Sequence, residues 1–494
     1  MPLLIGDVFR NAARARPGRV AAVHGSAALT FGDLDRRANR VARALRRHGV
    51  DRHDRVAVWA PTTLDVIPPF AALAKLGAAF APLNAALTTE EAVEMATSAR
   101  PALLLVDRDR AEAGATVGAR LGITSIDLDH LDADAADEPD GDIEVAVEET
   151  DTHVVFFTSG TSGRSKGVVL SHRTNHLRSH PGALLEPRGA MVCPYPLFHM
   201  GAWTIALQQW QARATVVFPP STTGESIAVA VAEHGATRLN AVPALWRRVL
   251  DHLADPAGPD DLLASLRFAD TGTSSTPIDL LHAIAAAAPH AQVRVFYGST
   301  EAGSVATLDQ DDIEAKPGSC GLPGPSTEVR IDDTGELLVR GPLVFERYDD
   351  PAATAAAFTD DWYRTGDLAD IDDDGYLSIV GRVNDMIRTG GEAVVPAEVE
   401  TVLGDHPAVA EVAVVGLADP DWGEIVCAVI VAAGVTDDAD LDLAEIRAHC
   451  AGRLAPHKHP RRIEVVTTIP RTPATGQVQR GLLVESIMSA EARP

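Results

Sequence analysis

The feature that most constrains this chain is an alternation: short apolar runs recur between stretches with helical periodicity. The runs include RVAVWAP at 55–61, ALLLVD at 102–107, HVVFFTSG at 153–160, ATVVFPP at 214–220 and VRVFYG at 293–298. Each suits a strand buried on both faces, and the intervening segments are long enough to return on a helix. The expected fold class is therefore α/β, with a large N-terminal domain of mixed, largely parallel sheets flanked by helices. At 494 residues the chain exceeds what one hydrophobic core holds, so a second domain is expected. The texture shifts to short strands and turns in EVRIDDTGELLVRG and DLADIDDDGYLSIVGR, a β-rich subdomain. It shifts again after Arg382, where VAEVAVVGL and EIVCAVIVAA belong to a compact α+β pattern. A boundary close to Asn384 and Asp385 gives domains of 1–384 and 385–494.

Charge narrows the possible partners. The formal net charge of -26 repels phosphate backbones and anionic membranes, so neither a nucleic acid nor a membrane is expected as partner. The stretch from Asp107 to Asp151, rich in Asp, Glu and Ala, reads as a solvated, variable connection. Cys193, Cys320, Cys427 and Cys450 form no CxxC pair, which suggests neither a disulfide framework nor a zinc site. The first twenty residues lack an apolar core of signal-peptide length, so a cytoplasmic setting is expected. Two further patterns are set aside. The acidic run Asp370 to Gly375 opens like a calcium loop but has Gly381 at its twelfth position, and His457 and His459 have no further ligand cluster beside them.

Three motifs carry chemistry. TSGTSGRSKG at 158–167 lies between two strand runs, and its glycines, hydroxyls and Lys166 can wrap a polyphosphate. It contains no Gly-Lys-Ser/Thr and leads into a strand, which argues against a kinase or GTPase. YGSTE at 297–301 follows a strand: an aromatic can stack on a purine, a hydroxyl can meet a phosphate, and a carboxylate can hold Mg²⁺. In YRTGD at 363–367, followed by Gly381 and Arg382, a carboxylate and an arginine could fix ribose hydroxyls and a phosphate. Taken singly, each could be a structural turn.

In this order and spacing, together with GRVNDMIRTGGEAVVPAEVE and PRTPATGQVQR, the motifs resemble the adenylate-forming superfamily, and most closely its acyl- and aryl-CoA synthetases. The resemblance covers essentially the whole chain. It implies ATP and Mg²⁺, with CoA as co-substrate, and a small-molecule carboxylate that becomes an acyl-adenylate. The small C-terminal domain would then rotate about a hinge at Asp385 to admit the thiol. Thr158, Ser159, Gly160, Thr161, Ser162, Gly163 and Lys166 match the clamp on the β- and γ-phosphates. Tyr297, with Gly298 and Ser299, would frame the adenine, Thr300 would meet the α-phosphate and Glu301 would hold the metal. Asp367 would bind the ribose and Arg382 would support it. His199 matches a residue between acyl pocket and thiol tunnel. The pocket would draw on Trp203, Thr271, Gly272, Thr273, Gly298, Gly303 and Ser304, although Trp203 could equally be core and the 271–273 loop could only shape the adenine site.

One departure bears on activity. Where the family has a lysine that reaches the carboxylate and α-phosphate, this chain has Gln477. A neutral amide cannot balance the charge that develops as pyrophosphate leaves, and the expected cost is on the order of 10²–10³ in adenylation rate. Gln477 could be a substitution that traps the ATP or adenylate state, or a natural feature of a branch with another nucleophile. It could also mark a degenerate relative that binds nucleotide without turnover. Ser165, Asn384, Ala393 and Val394 also depart from the family pattern. They leave open a diazotase that activates nitrite and acts on an aromatic amine.

Overall fold

The apolar runs form strands because their β-branched and aromatic side chains fill both faces of a sheet covered by helices. The computed structural model describes residues 2–159, 165–184, 189–255, 261–274, 276–433, 441–472 and 477–491. The chain divides into two compact units, Met1–Glu328 with Val339–Tyr363, and Val329–Leu338 with Arg364–Pro494.

The first unit carries two large mixed sheets. One has seven strands, in the order Arg347–Tyr348, Ser165–Ser171, Thr152–Ser159, Ala79–Leu83, Arg55–Trp59, Leu103–Val106, Thr124–Asp127. Its last five strands are parallel and the first two are antiparallel additions. The other has nine strands, and its centre is parallel from Val20–His24 through Val216–Phe218, Met191–Val192, Arg238–Asn240 and Phe268–Gly272 to Gln292–Ser299. The helix Ile67–Leu76 is buried along its whole length and stops at Gly77, whose φ of 70° suits a residue without Cβ. Around it Phe9, Phe70, Phe80, Trp203 and Trp210 form an aromatic core, with Phe70 stacked on Trp203 at 3.8 Å. Burial of each such ring stabilises the fold by about 2–3 kcal/mol.

The acidic stretch 107–151 is not a solvated connection. It contains the helix Ala111–Leu121, the edge strand Thr124–Asp127 and the helix Leu128–Ala135. Its acids meet the arginine-rich helix Phe31–Arg47: Arg37 pairs with Asp132 at 2.5 Å and Arg43 donates to the carbonyls of Pro139 and Gly141, each at 2.8 Å. Asp151, 7% exposed, holds Arg52 through two bonds of 2.7 and 2.9 Å. Composition registered the charge of this stretch but not the complementary charge a hundred residues upstream.

The strand Trp362–Ile371, most of which lies in the second unit, runs antiparallel to Leu377–Arg382. The acidic turn between them is closed by Asp372, whose carboxylate accepts from the amides of Asp374 and Tyr376. A five-stranded sheet follows, centred on Gly423–Ala432, with Val409–Asp419 and Ile387–Thr389 antiparallel and Arg462–Val465 parallel to it. Alternate residues face two cores. Val414, Val426, Ala428 and Ile430 lie against the helices Pro396–Gly404 and Leu443–Cys450, whereas Ala413, Val415, Cys427 and Val429 lie against Arg480–Glu491. No helix of the described residues is long and apolar enough to cross a membrane.

Candidate active site

The phosphate-loop motif tops an antiparallel hairpin in which Thr158 faces Lys166 and Ser159 faces Ser165. Gly160, Thr161, Ser162 and Gly163 lie outside the described residues, as does the side chain of Ser159. Lys166 is the last basic group before the strand continues, and its Nζ stands 5.1 Å from the centre of the Tyr348 ring. Tyr348 reaches this place because the short strand Arg347–Tyr348 pairs with Val168 and Val169.

Glu301 is the meeting point. Its carboxylate accepts from the Thr158 hydroxyl at 3.2 Å and from the Tyr348 hydroxyl at 3.0 Å. Burial, and then the Glu301 charge, push the Tyr348 phenol well above its ordinary value, so it stays a donor. The backbone of the same turn is also held. The Glu301 carbonyl accepts from the Phe345 amide at 2.7 Å and from Arg178 at 2.8 Å, and the Thr300 carbonyl accepts from Arg178 at 2.9 Å. Ser299 Oγ closes the turn by accepting from the Ala302 amide at 3.0 Å. Tyr348 and Arg178 were not among the sequence-level candidates. The sequence spacing places Arg178 four positions after Thr174, on one face of the helix His172–Leu184, and only the structure shows that this face is buried.

Two glycines permit the turn. A Cβ on Gly298 would lie 2.1 Å from the Gly303 carbonyl oxygen, and Gly303 itself has a φ of 73°. The hairpin register sets Tyr297 opposite Ala306 and Gly298 opposite Ser304, which is exposed. Parallel pairing of Thr271 with Val295 and Gly272 with Phe296 brings the 271–273 loop beside Tyr297 and Gly298. Thr273 has a φ of 68°, a strained conformation for a β-branched residue that costs about 1–3 kcal/mol. Below the loop, Asp270 is fixed by Arg294 at 2.9 and 3.1 Å.

His199 precedes the helix Met200–Gln211. Its ring lies 4.3 Å from that of Phe198, and burial lowers its pKa to about 4, so it is neutral at pH 7. Its Nε2 is buried with no hydrogen-bond partner among the described residues. Trp203, for which pocket and core were both open, stands in the aromatic core with its indole N–H on the Leu197 carbonyl.

In the second unit Asp367 and Arg382 are opposite one another across two strands and ion-paired at 2.9 Å. Asp385 ends a single 3₁₀ turn and pairs with Arg480 at 3.2 Å, while Arg480 also holds Glu400 at 2.5 Å. Gln477 is exposed next to the antiparallel bridge between Arg471 and Val478, with its main chain bonded to Thr472 at 2.8 and 3.1 Å. Lys458, between the two histidines set aside above, pairs with Glu398.

Residues 9–349 match the family model of AMP-binding enzymes, and residues 398–475 match that of the AMP-binding enzyme C-terminal domain. The chain belongs to the AMP-binding enzyme family. Among its relatives, this AMP-binding enzyme is 32% identical to a long-chain-fatty-acid–CoA ligase of Mycobacterium tuberculosis, over 97% of this chain and 98% of that one. It is 33% identical to a feruloyl-CoA synthase of an Amycolatopsis species, over 95% and 96% of the two chains. Among solved structures, it superposes with a TM-score of 0.84 and 27% identity on the o-succinylbenzoate CoA synthetase of Bacillus subtilis in complex with an acyl-adenylate intermediate, covering 98% of each chain. An ATP-bound MatB from Rhodopseudomonas palustris matches with a TM-score of 0.87 and 28% identity, over 99% and 100% of the two chains. Membership of this family makes the AMP-binding enzyme an ATP-dependent, AMP-forming ligase.

Proposed function

We propose that this AMP-binding enzyme activates a small or aromatic carboxylate with ATP and passes the acyl group to CoA. The observation that carries this reading is the Glu301 cluster: one buried carboxylate, held by Thr158 at the phosphate-loop hairpin and by Tyr348 under Lys166. Glu301 is 9% exposed and, among the described residues, has no basic side chain at ion-pair distance. A buried carboxylate held by neutral hydroxyls suits Mg²⁺, which commonly takes one or two carboxylates together with substrate phosphates. Mg²⁺, when bound, would neutralise charge on the phosphate oxygens.

In this reading Lys166 and the hairpin hold the outer phosphates, Thr300 orients the α-phosphate and Tyr297 stacks on the adenine. Asp367 and Arg382 engage the ribose. A substrate carboxylate oxygen attacks the α-phosphorus, the bond to the β-phosphate oxygen breaks and pyrophosphate leaves. After the 385–494 domain turns about Asp385, the CoA thiol attacks the acyl carbon, loses its proton, and AMP departs. His199, neutral and with no partner for its Nε2 among the described residues, would stand between acyl pocket and thiol path. Thr271, Gly272, Thr273, Gly298, Gly303 and Ser304 would shape that pocket, with Trp203 as the packing behind it. Gln477 offers an amide where a charge would serve better, so adenylation would be slow. A cytoplasmic setting fits Cys193, Cys320, Cys427 and Cys450, which form no disulfide among the described residues.

The test is pyrophosphate release from Mg·ATP across a panel of carboxylic acids, with nitrite alone and nitrite plus aromatic amines as separate arms. Release that depends on a carboxylate, with an acyl-CoA formed when CoA is added, is the expected result. Release only with nitrite would overturn it, and ATP binding without release under any condition would mark a pseudoenzyme.

A further inference from the structure

Arg178 is 6% exposed, yet among the described residues no carboxylate lies within ion-pair distance of its guanidinium. Its three bonds go to main-chain carbonyls: Nε to Leu343 at 2.8 Å, and the two terminal nitrogens to Thr300 at 2.9 Å and Glu301 at 2.8 Å. A buried cation is costly unless something specific compensates it, and a planar fork is the one side chain that can serve three carbonyls at fixed angles. The carbonyls belong to two segments that meet at the site. One is the turn that bears Thr300 and Glu301, and the other is the run from Leu343 to Tyr348, whose phenol donates to Glu301. Gly303 makes room for this fork, because a Cβ there would lie 3.0 Å from Arg178 Nε. Glu346, the nearest acid on the same run, is taken by the Ser171 amide and the Thr174 hydroxyl at 3.1 and 2.6 Å.

We propose that Arg178 is a positioning residue for adenylation: it locks the main chain at Thr300 and Glu301 to the Leu343–Tyr348 run, and thereby sets the presentation of the Glu301 carboxylate to the metal. This rests on the reading of Glu301 as the metal-holding carboxylate. Lysine would keep the charge but lose the fork. A displacement of about 1 Å at a group that orients the reacting atoms can cost on the order of 10² in rate.

The experiment compares the full-length parent with Arg178→Lys, Gly303→Ala and Glu301→Gln by three readings: ATP binding without metal, Mn²⁺ binding to the enzyme–ATP complex by electron paramagnetic resonance, and the Mg²⁺ dependence of pyrophosphate release. For Arg178→Lys we expect metal-free ATP affinity within about threefold of the parent, Mn²⁺ affinity weakened about tenfold or more, and kcat down on the order of 10². Gly303→Ala, which presses on the fork without removing it, should shift Mn²⁺ affinity in the same direction by less. A structural role alone would reduce all readings together, so a uniform loss overturns the proposal. So does unchanged Mn²⁺ binding in Arg178→Lys while Glu301→Gln weakens it. If Glu301→Gln also leaves Mn²⁺ binding unchanged, the metal reading itself falls, and the proposal with it.

Discussion

Asp367 and Arg382 stand opposite each other on neighbouring antiparallel strands, with the arginine Nε 2.9 Å from a carboxylate that is itself almost buried. They are fifteen positions apart in the chain, and the hairpin between them is closed by its own Asp372. Arg382 is half exposed, so the pair adds only about 0–1 kcal/mol to stability. In the proposed reading, the pair holds the Asp367 carboxylate for the ribose diol.

Asp367→Asn should therefore fold as the parent does and lose kcat/KM for ATP by about 10-fold to 100-fold, the worth of a hydrogen bond to a charged group. Steady-state kinetics with ATP varied, beside a denaturation curve, test it. A drop in stability without a change in kcat/KM would reverse the assignment.

Gln477→Lys should raise the rate of carboxylate-dependent pyrophosphate release by on the order of 10²–10³. Gln477 is exposed and bonded to Thr472 through its main chain, so the midpoint of urea unfolding should not move. Equal rates for the two proteins would mean that this position carries no charge-balancing role here.

Tyr348→Phe removes one of two hydroxyls on Glu301 and leaves the ring under Lys166. The buried carboxylate then lacks a donor, which should cost about 1–3 kcal/mol of stability together with part of the activity. Urea unfolding and pyrophosphate release, measured on one preparation, check both at once.

Acid should weaken the fold before the carboxylates titrate. His153 and His172 are fully buried, their rings 4.8 Å apart; Asn175 bonds the Nδ1 of His153, and the Nδ1 of His172 accepts from the Ile5 amide. Burial lowers both pKa values, that of His172 from 6.5 to about 4. The unfolded chain thus takes up protons first: stability is fully present above pH 6.5 and is lost as pH falls toward 4. For His172 alone the loss by pH 5 is about 2 kcal/mol. Chemical unfolding at pH 7.5 and pH 5 measures it, and equal stabilities at the two values would show that these histidines are not held neutral.

What the sequence determined by itself is what short range decides. The alternation of apolar runs and helical patterns marks an α/β chain because strand and helix periods are local. TSGTSGRSKG, YGSTE and YRTGD with Arg382 stand out in the sequence because each spans only consecutive residues or one hairpin. The acidic stretch 107–151 shows where that ends: it is held by Arg37, Arg43 and Arg52, and no local pattern reports a partner that far upstream. Tertiary structure alone decided that Tyr348 and Thr158 share the Glu301 carboxylate and that Arg178 holds the turn beneath it. Those contacts span 47, 143 and 123 residues. A buried charge finds its partners by the geometry of the folded sheets, and side chains far apart in sequence meet only once those sheets have formed.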